Sequence, residues 1–319
     1  MGKRRLRWAI PITSMLLAAI VAAPSTHAAK RPTCLGRPAT IVGSNHRDHI
    51  KGTHHSDVIV GRGGSDTIVG NGGRDVICGG SGNDHLSAGQ HSLRRDKPSK
   101  LVGGPGNDHI DGSFSNDFIV GDNANLSGDA TGHVGKDHIR GEFGNDFIVG
   151  DNYSHFNAKG GKHDVLLGEK GKDMVIGDSA VTGSGTARGG GNDHFEAQSG
   201  EDFEVGDSYS PHGKAVGGGK DTINAGPKHD FIVGDSYTIT GLAKGAGRDH
   251  INALSGPDTA YGDNYAKHSR GGRAMGGKHD FISGAGGNDR MFGGPAHDTC
   301  LGGPGHDVAE QCEFVRGVP

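Results

Sequence analysis

The sequence predicts an all-β solenoid of short parallel strands with loop insertions. Two observations carry that expectation. Aspartate recurs every nine residues along most of the chain, and each time glycines precede it and an apolar side chain follows two residues later. The clearest units are Gly79-Gly80-Ser81-Gly82-Asn83-Asp84-His85-Leu86 and Gly103-Gly104-Pro105-Gly106-Asn107-Asp108-His109-Ile110. Each unit reads as a turn able to bind metal followed by a short strand, and stacked units share one narrow core.

Twenty-one aspartates keep the phase. The first array carries Asp48, Asp57, Asp66, Asp75 and Asp84. Paired units follow at Asp108/Asp117, Asp137/Asp146, Asp164/Asp173, Asp193/Asp202, Asp221/Asp230 and Asp249/Asp258. Asp280, Asp289, Asp298 and Asp307 close the array. This pattern, G-G-x-G-x-D-x-U-x with U a large apolar residue, resembles the hemolysin-type, or RTX, calcium-binding repeat, over roughly residues 41–310. It is similar to small secreted calcium-binding repeat proteins of actinobacteria. The resemblance implies a parallel β-roll in which two nonapeptides make one coil. It also implies multiple Ca²⁺ ions between coils, held by the sixth-position aspartates and by glycine carbonyls. Aspartates stacked at the strand spacing of about 4.8 Å would repel without such ions.

The chemistry of the turn agrees. Glycine admits positive φ and leaves carbonyls bare, and hard oxygen donors suit calcium better than a metal that seeks thiolate or imidazole. Asn or His usually precedes the aspartate (Asn83, Asn107, Asn116, Asn145, Asn192, Asn288, His163, His229, His279, His297, His306). Both types tolerate left-handed backbone, so the histidines read as turn residues rather than metal ligands.

Residues 1–29 read as a signal peptide. Lys3, Arg4, Arg5 and Arg7 precede an apolar stretch from Ala9 to Ala23, and small residues lead to a cut after Ala28 or Ala29. The stretch is short for a membrane span and contains Pro11. The expected location is therefore extracellular, with no membrane span. Cleavage removes basic residues and Trp8, the only tryptophan, so the net charge falls below the −4 of the whole chain. An acidic chain with few aromatics argues against nucleic acid and against stacking platforms for sugars. Glycine supplies 61 of 319 residues and apolar types only 32%. Such a chain cannot offset backbone entropy with a hydrophobic core alone; bound metal can supply the difference.

The four cysteines, Cys34, Cys78, Cys300 and Cys312, lie at the two ends of the array. In an exported chain they suggest disulfides, with Cys34–Cys78 and Cys300–Cys312 as the favoured pairing among three. No close C-x-x-C pair supports zinc.

Expected segments are a leader (1–29), an N-terminal cap and array (30–89), a solvated basic loop (90–101) containing Arg94, Arg95, Lys97 and Lys100, paired repeats with inserts (102–279), and a C-terminal array with tail (280–319). Paired units start 27 to 29 residues apart, leaving nine to eleven residues for each insert. With two nonapeptides per coil, all inserts emerge on one edge. Read instead as a decayed third repeat, they would alternate between edges. Each opens with Gly-Asp-Asn or Gly-Asp-Ser, at Asp122, Asp151, Asp178, Asp207, Asp235 and Asp263. These are either a further line of metal carboxylates or simple tight turns.

First strands of the pairs, such as His109-Ile110-Asp111, have polar flanks; Val165-Leu166-Leu167 is the exception. Second strands, such as Phe118-Ile119-Val120, are apolar on both faces and need cover. Inserts folding back would supply it through Tyr153, Phe156, Tyr209, Tyr237, Ile239 and Leu242; the competing reading is a partner surface or homodimer seam. Glu204 and Ala260 fit their inward slots poorly, and a locally shifted strand is the reading for Glu204. With no H-E-x-x-H and no G-x-S-x-G, no catalytic centre is expected. A calcium-dependent adhesin and a polysaccharide-acting enzyme are the alternatives to a calcium-binding scaffold.

Overall fold

The computed structural model describes residues 31–89, 97–267 and 272–318. The leader, Arg94 and Arg95 lie outside them. Two twelve-stranded parallel sheets run the length of the array. The first holds the strands that follow Asp48, Asp66 and their successors. The second holds those that follow Asp57, Asp75 and theirs. A nonapeptide spends its glycine-rich half on a turn, so each strand keeps only about three residues, and the middle one points inward. Ile59, Ile68, Ile77, Leu86, Ile110, Ile119, Ile139 and Ile148 are fully buried in one column between the sheets. Parallel register stacks equivalent residues, as with His109, Ile110 and Asp111 on His138, Ile139 and Arg140.

Every insert leaves after a strand of the second sheet and returns before one of the first, so all lie on one edge. This excludes the alternating arrangement of a decayed third repeat. The inserts are not plain loops. Each contributes up to two short strands, and these stack into a six-stranded and a five-stranded parallel sheet. Ala124-Asn125 lies on Tyr153-Ser154, and Ala158-Lys159 on Ala187-Arg188. Variation in insert length is absorbed in the bends between these strands.

The inserts cover the second sheet. Val120, Val149, Ile176, Val205 and Val233 are buried beneath Tyr153, Tyr209, Tyr237 and Tyr265. The rings of Tyr209, Tyr237 and Tyr265 stack at 5.7 Å, and Tyr153 meets Phe118 edge-on at 4.9 Å. Ile239 joins this cluster. Phe156 does not: its side chain is 50% exposed at the bend of its insert, and Leu242 also stands outside the cluster. Phe118, Phe147, Met174, Phe203 and Phe231 stay half-buried at the rim. Where inserts are lacking, near the N-terminus, the hairpin of Thr33–Cys34 and Arg37–Pro38 takes their place. Cys34, Ala39, Val60 and Val76 bury one another there, and Cys34–Cys78 fastens the hairpin to the sheet. At the other end the Cys300–Cys312 disulfide places Cys300 in the core column itself.

The segment 90–101 is not wholly a loop. Its described part ends in Lys100–Val102, a strand of the second sheet between Val76–Cys78 and Phe118–Val120. Ser99 stands where the repeat has aspartate, which is why the nine-residue count misses this coil.

Glu204 sits inward without any register shift, between Val175 and Ile232. It is fully buried and both carboxylate oxygens lack a hydrogen-bond partner. Burial, then neighbouring aspartates, hold its carboxyl well above the usual range. Phe195, on the first sheet, is the largest fully buried side chain among the described residues, and Ala260 is paired with Ile232 and Met291. We predict that Glu204→Ile stabilises the protein by roughly 2 kcal/mol, since it removes a desolvated carboxyl and adds buried apolar surface. Urea unfolding in saturating calcium reads this; a lower midpoint for the variant would show that Glu204 has a partner in solution.

Candidate metal-binding edges

The turns place positive φ at the second and fourth repeat positions, as at Gly80 and Gly82 or Gly104 and Gly106. This curls the chain so that the sixth-position carboxylate folds back over the first glycine. A Cβ on Gly103 would overlap both Asp108 Oδ2 and the Gly121 carbonyl oxygen. The first glycine is therefore fixed by space, and it leaves a carboxylate oxygen beside a carbonyl oxygen of the next coil.

The fifth-position Asn and His do not adopt left-handed backbone, contrary to the reason inferred from sequence. Asparagine there accepts a hydrogen bond from the coil ahead instead. Asn107 N–H donates to Asn83 Oδ1 at 3.0 Å, and Lys136 N–H to Asn107 Oδ1 at 2.9 Å. These residues form an outer ladder that ties turn to turn.

Inside it runs an aspartate ladder along each edge. On the first edge the Asp48 N–H donates to Asp66 Oδ1 at 2.8 Å, Asp84 to Asp108 at 2.7 Å, and Asp137 to Asp164 at 2.7 Å. The chain of donors continues to Asp298, whose N–H meets Glu313 Oε2 at 2.7 Å. Glu313 is thus the last rung, invisible to a nine-residue count. On the second edge Ser99 bridges the series: Asp75 N–H donates to Ser99 Oγ, and Ser99 N–H to Asp117 Oδ1. The edge then runs through Asp146, Asp173, Asp202, Asp230, Asp258 and Asp289 to Asp307.

From Asp66 and Asp75 onward, one oxygen of each carboxylate is spent on this ladder. The other divides the aspartates into two groups. Asp48, Asp57 and Asp117 turn Oδ2 to a second-position hydroxyl, from Ser44, Thr53 and Ser113 at 2.8 to 2.9 Å. In Asp66, Asp75, Asp84, Asp108, Asp137, Asp146, Asp164, Asp173, Asp193, Asp202, Asp221, Asp230, Asp249, Asp258, Asp280, Asp289, Asp298 and Asp307, Oδ2 is buried without any hydrogen-bond partner.

The insert aspartates close the neck of each insert. Gly121, the glycine before Asp122, is itself the first-position glycine of the Asp137 turn, since its added Cβ would meet Asp137 Oδ2. The insert is therefore spliced into the metal turn, and Asp122 occupies the second position. Its carboxylate accepts the Gly135 N–H at 3.0 Å. Asp151, Asp178, Asp207, Asp235 and Asp263 close their necks likewise, through Lys162, Gly191, Gly219, Gly247 and Lys278 N–H. They are fully or almost fully buried, and Asp151 Oδ1, Asp178 Oδ1, Asp207 Oδ1 and Asp263 Oδ2 have no hydrogen-bond partner. Carboxylate oxygens of Asp151, Asp164 and Asp178 lie within 4.8 Å of one another.

Negative charge packed this way cannot stand alone. Burial first, then neighbouring carboxylates, pushes Asp137 up to about 11 and Asp122 to about 9. Asp164 rises to about 8 and Asp146 to about 9, chiefly through burial. Asp178, Asp193, Asp221 and Asp249 are raised well above the ordinary range for the same reason. Such carboxyls need either protons or cations. The donors around them are oxygen alone, from carboxylates and carbonyls, which fits a hard divalent ion such as Ca²⁺; the cysteines are all in disulfides.

Fold and edges together define a repeat protein built around cation-ready aspartate columns. The chain belongs to the RTX calcium-binding nonapeptide repeat family, whose profile matches residues 40–67, 52–86, 100–125, 130–152, 216–236, 245–264 and 276–309, more than half of the chain. It is a calcium-binding repeat protein. Residues 153–215 escape the profile, yet their coils continue both sheets without a break. The comparison with curated proteins gives no match. Among solved structures, a hyperactive, Ca²⁺-dependent, β-helical antifreeze protein from an Antarctic bacterium is similar at 15% identity, over 80% of this chain and 83% of that one, with a TM-score of 0.26. No helix among the described residues is long and apolar enough to cross a membrane.

Proposed function

We propose that this is an exported calcium-gated scaffold: a chain that is disordered without Ca²⁺ and rolls up when ions fill the columns between coils. The supporting observation is the row of buried Oδ2 atoms with no partner, which at Asp66, Asp108, Asp164 and Asp193 among others share the space over a first-position glycine with a carbonyl of the next coil. The sixth-position aspartates are the bridging ligands, with glycine carbonyls completing the shell. Asp48, Asp57 and Asp117, whose second oxygen is engaged by a hydroxyl, contribute less. The insert aspartates join the first-edge column, so that Asp151, Asp164 and Asp178 share one ion. Disulfides at both ends suit an oxidising, extracellular setting, reached through the leader at 1–29. Calcium at external levels, where weak sites of roughly 10⁻⁴–10⁻³ M operate, would be the trigger. A homodimer or adhesive role would use the half-buried Phe rim of the second sheet, and calcium-dependent light scattering reads it. The scaffold itself performs no chemistry in this proposal.

Asp164→Asn tests it by a change of sign. The amide carries no charge, so without metal the variant should stay folded to a higher pH than the parent, which raises the midpoint of its metal-free unfolding with pH. In calcium it should be less stable, with a midpoint raised by about twofold or more and fewer ions bound. Asp48→Asn should move neither midpoint appreciably. A variant that is weaker under both conditions would reduce Asp164 to a structural hydrogen-bond acceptor.

A further inference from the structure

The outer face of the first sheet carries a second cluster of metal-ligating side chains that the nonapeptide chemistry does not use. The residue after each first-edge aspartate points outward there, and in three successive coils it is histidine. His85, His109 and His138 stack in register, with ring centroids 4.8 and 4.9 Å apart. Two residues beyond His109, on the same face, stands Asp111. Its Oδ1 lies 3.3 Å from His109 Nε2, and its Oδ2 lies 4.0 Å from His85 Nε2. Oδ1 is shielded from solvent and accepts no hydrogen bond.

We propose that His85, His109 and Asp111 form a site for a nitrogen-seeking divalent ion of the Zn²⁺ type, independent of the calcium columns. The donor set is two imidazole nitrogens and one carboxylate oxygen, whose ligating atoms lie within 4.8 Å of one another. Zinc takes both donor types at about 2.0–2.2 Å and commonly leaves a fourth position open. Small rotations of side chains on an open face bring the three atoms to that reach. Register explains why the site forms here. The residue paired with Asp111 on the His85 strand is Ser87, too short to block the diagonal from Asp111 to His85. On the other side the paired residue is Arg140, a fixed cation that confines a metal to the His85 side. His194 has Glu196 beside it at 3.2 Å, but its neighbours are Val165 and Thr222. His250 stacks on Phe281. Neither has a second imidazole in register.

The alternative is a simple ring ladder of the kind that parallel register makes from any repeated side chain. The test uses the whole protein in saturating Ca²⁺, so that the fold is held and the oxygen sites are filled. Zn²⁺ is titrated by calorimetry, and Co²⁺ by visible absorption. We expect one equivalent of Zn²⁺ at roughly micromolar affinity or better, and d–d bands from nitrogen-ligated cobalt. His109→Ala and Asp111→Ala should each weaken binding by about tenfold or more, while His250→Ala leaves it unchanged. Circular dichroism in Ca²⁺ verifies that each variant is folded, and His85→Ala replaces any that is not. Absence of Zn²⁺ binding, binding untouched by His109→Ala, or equal losses in His250→Ala would each overturn the site.

Discussion

In metal-free buffer at pH 7.5 the protein is expected to lose nearly all of its β signal, and to regain it in one cooperative step on adding Ca²⁺. The reason lies in the cross-section. Each coil buries one large apolar residue per strand, while every residue of its long turns must be ordered at an entropic cost. The edges add a further penalty, since they gather buried carboxylates into columns whose sixth-position aspartates make no salt bridge among the described residues. An ion between two coils removes the repulsion for both, so filling one site favours its neighbour, and the response is steep as in other nearest-neighbour arrays. Magnesium is the control: it demands tighter octahedral geometry and sheds water reluctantly, and should restore little at equal concentration. Far-ultraviolet circular dichroism with both ions reads the result. A β spectrum that persists in metal-free buffer at pH 7.5 would show that apolar packing and the disulfides suffice, and the scaffold would not be gated.

Acid should substitute for calcium. Aspartate in the unfolded chain titrates near 3.9. In the fold, burial raises Asp75 to about 7, Asp164 to about 8 and Asp146 to about 9. The folded chain then holds protons that the unfolded chain has released. The stabilisation from each such group is fully present below about pH 4 and is lost as pH rises through 7 to 9. One displaced pH unit corresponds to about 1.4 kcal/mol for a buried group, so a few of these carboxyls outweigh a net stability of about 5–15 kcal/mol. The metal-free protein should therefore be folded or compact at pH 4 to 5 and unfolded at pH 8, the reverse of ordinary acid denaturation. In calcium the trend inverts, because ions compete with protons for the same oxygens and bind better as pH rises. Thermal melts at pH 4.5, 6.5 and 8, with and without Ca²⁺, decide the matter. Metal-free stability that climbs from pH 4.5 to 8 would mean that the carboxylates are solvated and charged.

Much of this protein is legible residue by residue. The nine-residue phase places Asp48, Asp66 and Asp84 on one edge and Asp57 and Asp75 on the other, since a strand and a turn together use up the nonapeptide. The inward Ile68, Ile77 and Ile110 follow from the two-residue alternation, and the terminal cysteine pairs from their positions at the ends. Local signals fail where a residue acts through a coil one turn away. Asn83 and Asn107 look like turn formers; they are rungs between turns. Ser99 and Glu313 break the aspartate rule, yet hold its place in the hydrogen-bond ladders.

The repeat, its two edges and the oxygen-only chemistry of its turns follow from residue order, because they depend on spacing within eighteen residues. Stacked coils alone bring Asp122 and its five counterparts beside the first-edge aspartates, lay the inserts as sheets over the Val120 row, and set His85 near Asp111. Each of these is a contact between coils, set by parallel register across 24 to 29 residues of chain, and register exists only once the coils are stacked.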